Sequence, residues 1–330
     1  MSLPLTTLDE LIEVLETPQE TLIIFHRNPD ADAVGSAFAL RNLLCQLGSP
    51  ARCICQDEVP AYLQFLTSKT QESVLPESVL ADFEPARIVS VDTASLSQMG
   101  TLAEAFGDRV DVMIDHHEGN EPWGAMSYVR SGAAAVGEII FDLIKKLASE
   151  ERITIDEEMC IDLYAAISGD TGCFRYSNVT PKTHLRAAEL VASGIDCAEI
   201  NRRLFENKSL ERLRAQSAAI SNMELFADGK IAVVTFPYAL KAALGLGDDD
   251  LGALVDIGRS LSGVEVALCI RQPLPEGKFR VSARSNGAYD VAELCRKFEG
   301  GGHAKAAGCT LTATDIAEAM QRIVSAIHFD

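Results

Sequence analysis

Basic residues are scarce in this chain: 29 lysines and arginines stand against 48 aspartates and glutamates, a net charge of −19 with a pI near 4.7. That balance excludes a long polyanion as partner, because duplex binding draws on a dense positive surface. A phosphorylated ligand would have to be short and met by a local basic pocket together with metal. No apolar run reaches about 18 residues, so no membrane span is expected. The first 20 residues hold Asp9, Glu10, Glu13 and Glu16 and neither lysine nor arginine, which argues against a signal peptide. Nine cysteines are scattered through apolar segments, and the one C-x-C, Cys53 with Cys55, has no second pair to complete a zinc pattern. Buried free thiols in a reducing cytoplasm are the expectation. Internal repeats and low-complexity tracts are absent.

What is present is an ordinary globular composition, 47% hydrophobic and 23% charged over 330 residues. Since one core rarely grows past about 250–300 residues, two domains are expected. The first half alternates β-rich runs over 21–26, 51–56, 87–92 and 110–115 with helical patterns over 32–47, 97–106, 133–149 and 156–168. A further helix opens at Pro181 and stops at Gly194. This order predicts a parallel sheet with crossover helices. Residues 196–226 read as helical and highly charged. A second α/β unit follows, with strands over 230–236, 264–271, 278–285 and 309–312 and helices near 249–260, 291–298 and 315–327. Pro273, Pro275 and Gly277 make the middle two strands a hairpin. The division expected is a domain over 1–195, a helical connector over 196–228 and a smaller domain over 229–330.

Four short segments carry acids and imidazoles: His26, Asp30 and Asp32 in F-H-R-N-P-D-A-D-A-V-G-S, Asp92 in I-V-S-V-D-T, Asp115, His116 and His117 in M-I-D-H-H, and Asp170 in S-G-D-T-G. Three of them follow an apolar run that reads as a buried strand. Acids and imidazoles at the carboxyl ends of parallel strands meet at one sheet edge, where open α/β folds bind ligands. A carboxylate leaving such a strand is costly if unpaired, so Asp92 needs hydrogen bonds or a cation. The bland alternatives are an N-cap aspartate with a solvated neighbour for D-A-D, a cap at Asp92, satisfied structural histidines, and a glycine-rich turn at S-G-D-T-G. All four would have to coincide on one edge. Carboxylates with imidazoles suit a pair of divalent transition ions such as Mn²⁺, and the set points to a two-metal phosphoesterase.

A second constellation lies near the C-terminus. Arg280, Ser282 and Arg284 alternate along one strand and share a face, a fork for phosphate oxygens. Gly300, Gly301 and Gly302 before His303 permit left-handed backbone and offer N–H groups to an anion or a base edge.

Together these segments resemble the DHH/DHHA1 phosphoesterase family: H-R-N-P-D-A-D-A-V-G-S, V-D-T, D-H-H-E-G-N and S-G-D-T-G-C-F-R-Y its N-terminal motifs, R-V-S-A-R-S and G-G-G-H-A-K-A-A-G its C-terminal ones. The likeness spans nearly the whole chain and is nearest to the bacterial nanoRNase and pAp phosphatase group. It implies an α/β fold with a parallel-sheet DHH domain and a smaller α/β DHHA1 domain. It also implies two Mn²⁺ ions, with Mg²⁺ or Co²⁺ as substitutes, one held by His26, Asp30 and Asp92 and the other by Asp32, Asp92, His116 and Asp170. Asp115 would orient His116, and His117 would contact the scissile phosphate or protonate the leaving oxygen. Arg280, Ser282, Arg284, Gly301, Gly302 and His303 would hold the rest of the nucleotide across a cleft between the domains.

The activity implied is hydrolysis of 3′-phosphoadenosine 5′-phosphate (PAP) to AMP and of oligoribonucleotides of about 2–5 residues to mononucleotides. The partners are short oligoribonucleotides or small nucleotides, with neither long duplex nor membrane, and with homodimerisation left open. The alternatives are cleavage of cyclic di-AMP or pApA, a RecJ-like single-strand exonuclease, a DHHA2-type pyrophosphatase and a nucleotide-binding module without turnover. The acidic chain disfavours the exonuclease, which needs a long positive channel, and the complete acid–histidine set disfavours a non-catalytic module.

Overall fold

The computed structural model describes residues 3–67, 71, 73–117, 123–247, 251 and 254–329. In chain order its first part holds β1 (Leu3–Pro4), α1 (Leu8–Glu16), β2 (Thr21–Phe25), α2 (Ala31–Gln46), β3 (Ala51–Ile54), α3 (Pro76–Val79), β4 (Arg87–Val91), α4 (Leu102–Phe106), β5 (Val112–Asp115), β6 (Met126–Val129), α5 (Val136–Ser149), α6 (Glu157–Asp170), α7 (Pro181–Ala192) and α8 (Cys197–Asn201). The second part holds α9 (Leu210–Ser221), β7 (Met223–Phe226), β8 (Ile231–Phe236), α10 (Tyr238–Ala243), α11 (Val255–Arg259), β9 (Val266–Arg271), β10 (Lys278–Ser285), α12 (Val291–Arg296), β11 (Gly301–His303), β12 (Ala306–Thr312) and α13 (Ile316–Val324). Two compact units divide between Asn207 and Lys208.

In the first unit the apolar runs T-L-I-I-F and R-I-V-S-V are buried along their whole length, as central strands of a parallel sheet must be. The sheet order is β1-β6-β5-β4-β2-β3, every neighbouring pair parallel. From β2 the chain moves outward to β3, then crosses back to place β4 on the other side of β2. The strand order therefore reverses between β2 and β4, and a crevice opens at their carboxyl ends. One face packs Ile23, Phe25, Val89 and Val91 with α2, α5 and α6 residues such as Phe38, Ile140 and Leu163. The other packs Leu22, Ile24 and Ile88 with Met99, Leu102 and Phe106.

Helix α2 starts one residue earlier than the sequence pattern indicates, with Asp30 as its N-cap accepting from the N–H groups of Asp32 and Ala33 at 3.1 Å. Helix α6 runs on through Asp170, two residues past its expected end, and Gly169 in its last turn packs closely on α2. A Cβ at Gly169 would lie 2.6 Å from that of Ala31. Gly169 thus serves helix–helix contact. Strands β1 and β6 escape the sequence reading, since two and four residues are too short to show a period. Helix α1 escapes it too, although Thr7 and Glu10 form a capping box at its start and Leu11, Ile12 and Leu15 share its buried face.

The second unit has a sheet of order β11-β12-β10-β9-β8-β7. Its pairs are antiparallel except β8 with β9, and β9–β10 is the expected hairpin. The charged stretch 196–226 is not helical throughout: it holds α8, a π-helical turn Arg202–Glu206, α9, and then edge strand β7. Strand pairing with β8 overrides the local helical pattern at Met223–Phe226. Of the helix expected near 249–260, the described part is Val255–Arg259; residues 248–250, 252 and 253 lie outside the described residues. Phe279, Val281 and Ala283 point from β10 into a core with α12 and α13. No described helix is long and apolar enough to cross a membrane.

Candidate metal centre

Each acid or imidazole reaches the crevice from a defined place. His26 follows β2, Asp92 follows β4, and Asp115, His116 and His117 close β5. Asp30 and Asp32 come from the start of α2, and Asp170 from the last turn of α6. The amide of Asp92 continues the ladder by donating to the carbonyl of Ile114 at 3.0 Å. The backbone then enters the left-handed region at φ +52°, which turns the side chain out of the sheet. For an L-residue that conformation costs roughly 1–2 kcal/mol, and aspartate tolerates it better than most.

Asp92 is the hub. Its Oδ2 lies 3.5 Å from His26 Nε2, and its Oδ1 lies 3.7 Å from His116 Nε2 and 3.6 Å from His117 Nδ1. Asp30 Oδ1 is 3.7 Å from His26 Nε2, while Asp32 Oδ2 and Asp170 Oδ2 are 3.9 and 3.2 Å from His116 Nε2. Three overlapping groups result, His26–Asp30–Asp92, Asp32–His116–Asp170 and Asp92–His116–His117, with donor atoms within 4.8 Å of one another in each.

The electrostatics show what the cluster is short of. Burial works against a charged His116, yet the hydrogen bond it donates to Asp170 and the charges of Asp170, Asp32 and Asp92 hold it protonated, up to about 11. Burial, reinforced by Asp92 and Asp170, pushes the Asp32 carboxyl well above its usual range, and burial also raises Asp170. Asp92 is 3% exposed and its Oδ1 has no hydrogen-bond partner. Buried carboxylates in surplus and an orphaned carboxylate oxygen fit a divalent cation, and nitrogen with oxygen donors suits a transition ion.

Asp115 departs from expectation. It accepts from His117 Nδ1 at 2.7 Å, so it orients His117. His116 is held through Nδ1, which donates to the carbonyl of Ala133 at 3.1 Å. That leaves Nε2 of His116 facing the carboxylates, the tautomer a metal-binding imidazole requires.

Two supports were not visible in the motifs. Asp32 accepts from Ser36 Oγ (2.8 Å) and from the N–H groups of Val136 (2.7 Å) and Gly137 (2.9 Å). It therefore caps α5, whose own N-cap position, Ala135, supplies no side-chain acceptor. An amphipathic helix that begins after an alanine run without Ser, Thr, Asp or Asn was the available signal. Asn178 donates through Nδ2 to the carbonyls of Ala134 (3.0 Å) and Asp170 (3.1 Å), tying the segment that fixes His116 to the end of α6. Nothing in its local pattern marks it.

The second constellation lies in the other unit and is described by itself. Arg280, Ser282 and Arg284 share the β10 face opposite the core, Arg280 exposed and the other two half-buried. The expected G-G-G-H loop is an edge strand, with Gly301, Gly302 and His303 opposite Gly308, Ala307 and Ala306. Backbone proximity explains two of its glycines. A Cβ at Gly300 would lie 2.2 Å from the Gly308 carbonyl oxygen, and one at Gly302, at φ +137°, 2.5 Å from that of Ala306. Gly301 meets nothing within 4 Å and is open.

Fold and site together define a two-unit α/β protein with an acid–histidine centre at the switch point of a parallel sheet. Residues 20–167 match the DHH family, N-terminal domain, and residues 228–328 the DHHA1 domain. The chain is 31% identical to the bifunctional oligoribonuclease and PAP phosphatase NrnA of Thermus thermophilus, over 97% of this chain and 92% of that protein. It is 27% identical to the Bacillus subtilis protein of the same name, over 94% and 95%. An exopolyphosphatase-related protein from Bacteroides fragilis shares the fold, with a TM-score of 0.87 at 24% identity over 97% and 94% of the two chains. The chain belongs to the DHH/DHHA1 phosphoesterase family.

Proposed function

We propose that this chain hydrolyses oligoribonucleotides of about two to five residues and PAP, with two Mn²⁺ ions as cofactor. The observation that carries the reading is the Asp92 carboxylate, with one oxygen beside His26 and the other beside His116 and His117. Its sequence relatives named for these two substrates support the choice. His26, Asp30 and Asp92 would hold one ion, and Asp32, Asp92, His116 and Asp170 the other. When bound, such ions lower the pKa of coordinated water towards neutrality and neutralise charge on phosphate oxygens. His117, held at Nδ1 by Asp115, would deliver a proton from Nε2 to the leaving oxygen. Asp115 would position that ring. Arg280, Ser282, Arg284 and the Gly301–His303 strand would hold the part of the nucleotide that does not react.

The test is a side-by-side assay of PAP, di- to pentanucleotides, pApA and cyclic di-AMP with Mn²⁺ present. PAP and the short oligonucleotides should give the highest kcat/KM; a clear preference for cyclic di-AMP would contradict the proposal. Arg280→Ala and Arg284→Ala should each raise KM for short oligonucleotides by one to two orders of magnitude, since a charge-assisted phosphate contact is worth roughly 1.5–3 kcal/mol. Metal content should be unchanged, and wild-type kinetics in both variants would remove these residues from the substrate site. Asn178→Ala should weaken Mn²⁺ binding about 10- to 100-fold, the usual cost of losing an outer support of a metal site. An isotherm matching wild type would show that the tie between Ala134 and Asp170 is dispensable.

A further inference from the structure

The sheet of the second unit has one face covered by α12 and α13 and another only partly covered. On that second face Ala232, Val234, Phe236, Ala267 and Cys269 of β8 and β9 lie in an apolar cluster with Ala215, Ala219 and Leu254. That apolar cluster has no member on β10. There the face carries Arg280, Ser282 and Arg284, and beside them on β12 Gly308 and Thr310.

Arg271, the last residue of β9, stands at this boundary. It is the Cα partner of Arg280, so the two side chains leave the same face from one rung. Directly opposed residues of an antiparallel pair have Cα atoms about 5 Å apart. Arg284, four residues further along β10, is about 13 Å from Arg280. Arg271 and Arg280 can thus meet one anion together, while Arg284 meets another. Like charges opposed on a rung destabilise a sheet unless something neutralises them. Arg271 is half-buried, and its Nη1 donates to the Leu251 carbonyl at 3.3 Å. Among the described residues none of the three arginines forms an ion pair, although the chain carries 48 acids.

We infer that Arg271 and Arg280 form a subsite for one more phosphate than PAP presents, so that Arg271 favours oligonucleotides over PAP. This rests on the proposed reading that the open face of this sheet takes the substrate. PAP has two phosphates, one reacting and one left over; a 5′-phosphorylated trinucleotide leaves two over. The guanidinium of Arg271 presents two donors in a plane, as bidentate phosphate binding needs, and Leu251 holds it at the edge of the covered region.

Steady-state kinetics of the full-length Mn²⁺-loaded protein test the inference, with wild type, R271Q, R271M and R280A on PAP and a 5′-phosphorylated trinucleotide across a KCl series. R271M retains the aliphatic stem and serves if R271Q melts early by circular dichroism. The expected result is a KM about tenfold higher for the trinucleotide and less than twofold higher for PAP. The slope of log KM on log salt for the trinucleotide should fall by about 0.7, the share of one phosphate on a single strand. Equal changes for both substrates, or none for either, would overturn the role of Arg271 alone provided R280A still raises KM. If R280A leaves both KM values at wild type, the substrate reading of the second unit falls with it.

Discussion

Asp92→Asn should abolish hydrolysis and Mn²⁺ binding together. The side chain is nearly isosteric, and asparagine accepts the left-handed backbone at φ +52° that alanine would find strained. What changes is charge: the one carboxylate beside both histidine groups becomes neutral. In the proposed two-ion site, losing the shared ligand would forfeit several kcal/mol of charge stabilisation, roughly a thousandfold or more in rate. The fold should survive, because the Oδ1 of Asp92 makes no hydrogen bond within the protein. The single tryptophan gives a direct readout, since Trp123 Nε1 donates to the Thr93 carbonyl at 3.2 Å, one residue from Asp92. Wild-type fluorescence should respond to Mn²⁺ and the variant should not. A variant that retains two tightly bound ions by elemental analysis would refute the shared role of Asp92.

Asp32→Ala should combine loss of activity with loss of stability. Asp32 is fully buried and satisfies Ser36 Oγ and the N–H groups of Val136 and Gly137. Removing it leaves two buried backbone donors orphaned and uncaps α5, costing about 3 kcal/mol. For a unit of this size that lowers Tm by roughly 6–12 °C. Asp32→Asn keeps a carbonyl oxygen towards one of those donors while removing the charge. It should lose activity to a similar degree with a smaller fall in Tm. Melting curves beside PAP hydrolysis separate the two effects, and an Asp32→Asn protein with near-wild-type turnover would show that Asp32 serves the helix and not the metal.

Much of the first unit was legible in the sequence because fully buried parallel strands announce themselves. T-L-I-I-F and R-I-V-S-V have no polar face to confuse them with surface strands, and each is followed at once by an ionisable residue. The pieces that escaped are short or rest on distant contacts. β1 and β6 are two and four residues long, and β7 is set by its partner β8 against a helical local pattern. The acid–histidine residues were identifiable by type and position, whereas their pairings were not. The family resemblance implied Asp115 for His116, yet successive residues leaving a strand point in opposite directions. The carboxylate therefore meets the ring two positions on, His117, and His116 finds the Ala133 carbonyl. Glycines misled in the same way. S-G-D-T-G read as a turn and G-G-G-H as a ligand-facing loop, while Gly169, Gly300 and Gly302 are required by backbone or Cβ approach from Ala31, Gly308 and Ala306.

Short substrates follow from the same charge distribution. With 48 acids and 29 bases the surface repels extended polyanions, and the basic groups named here suffice for a nucleotide or two. The most direct test of the account is hydrolysis by the Mn²⁺-loaded protein of PAP, a dinucleotide, a pentanucleotide and a 20-mer, each repeated after removal of metal with a chelator. The account predicts AMP and mononucleotides from the short substrates, loss of all turnover with the metal and its return on adding Mn²⁺, and a steep fall in kcat/KM beyond about five nucleotides. Metal-independent hydrolysis, or degradation of the 20-mer at the rate of the dinucleotide, would contradict it.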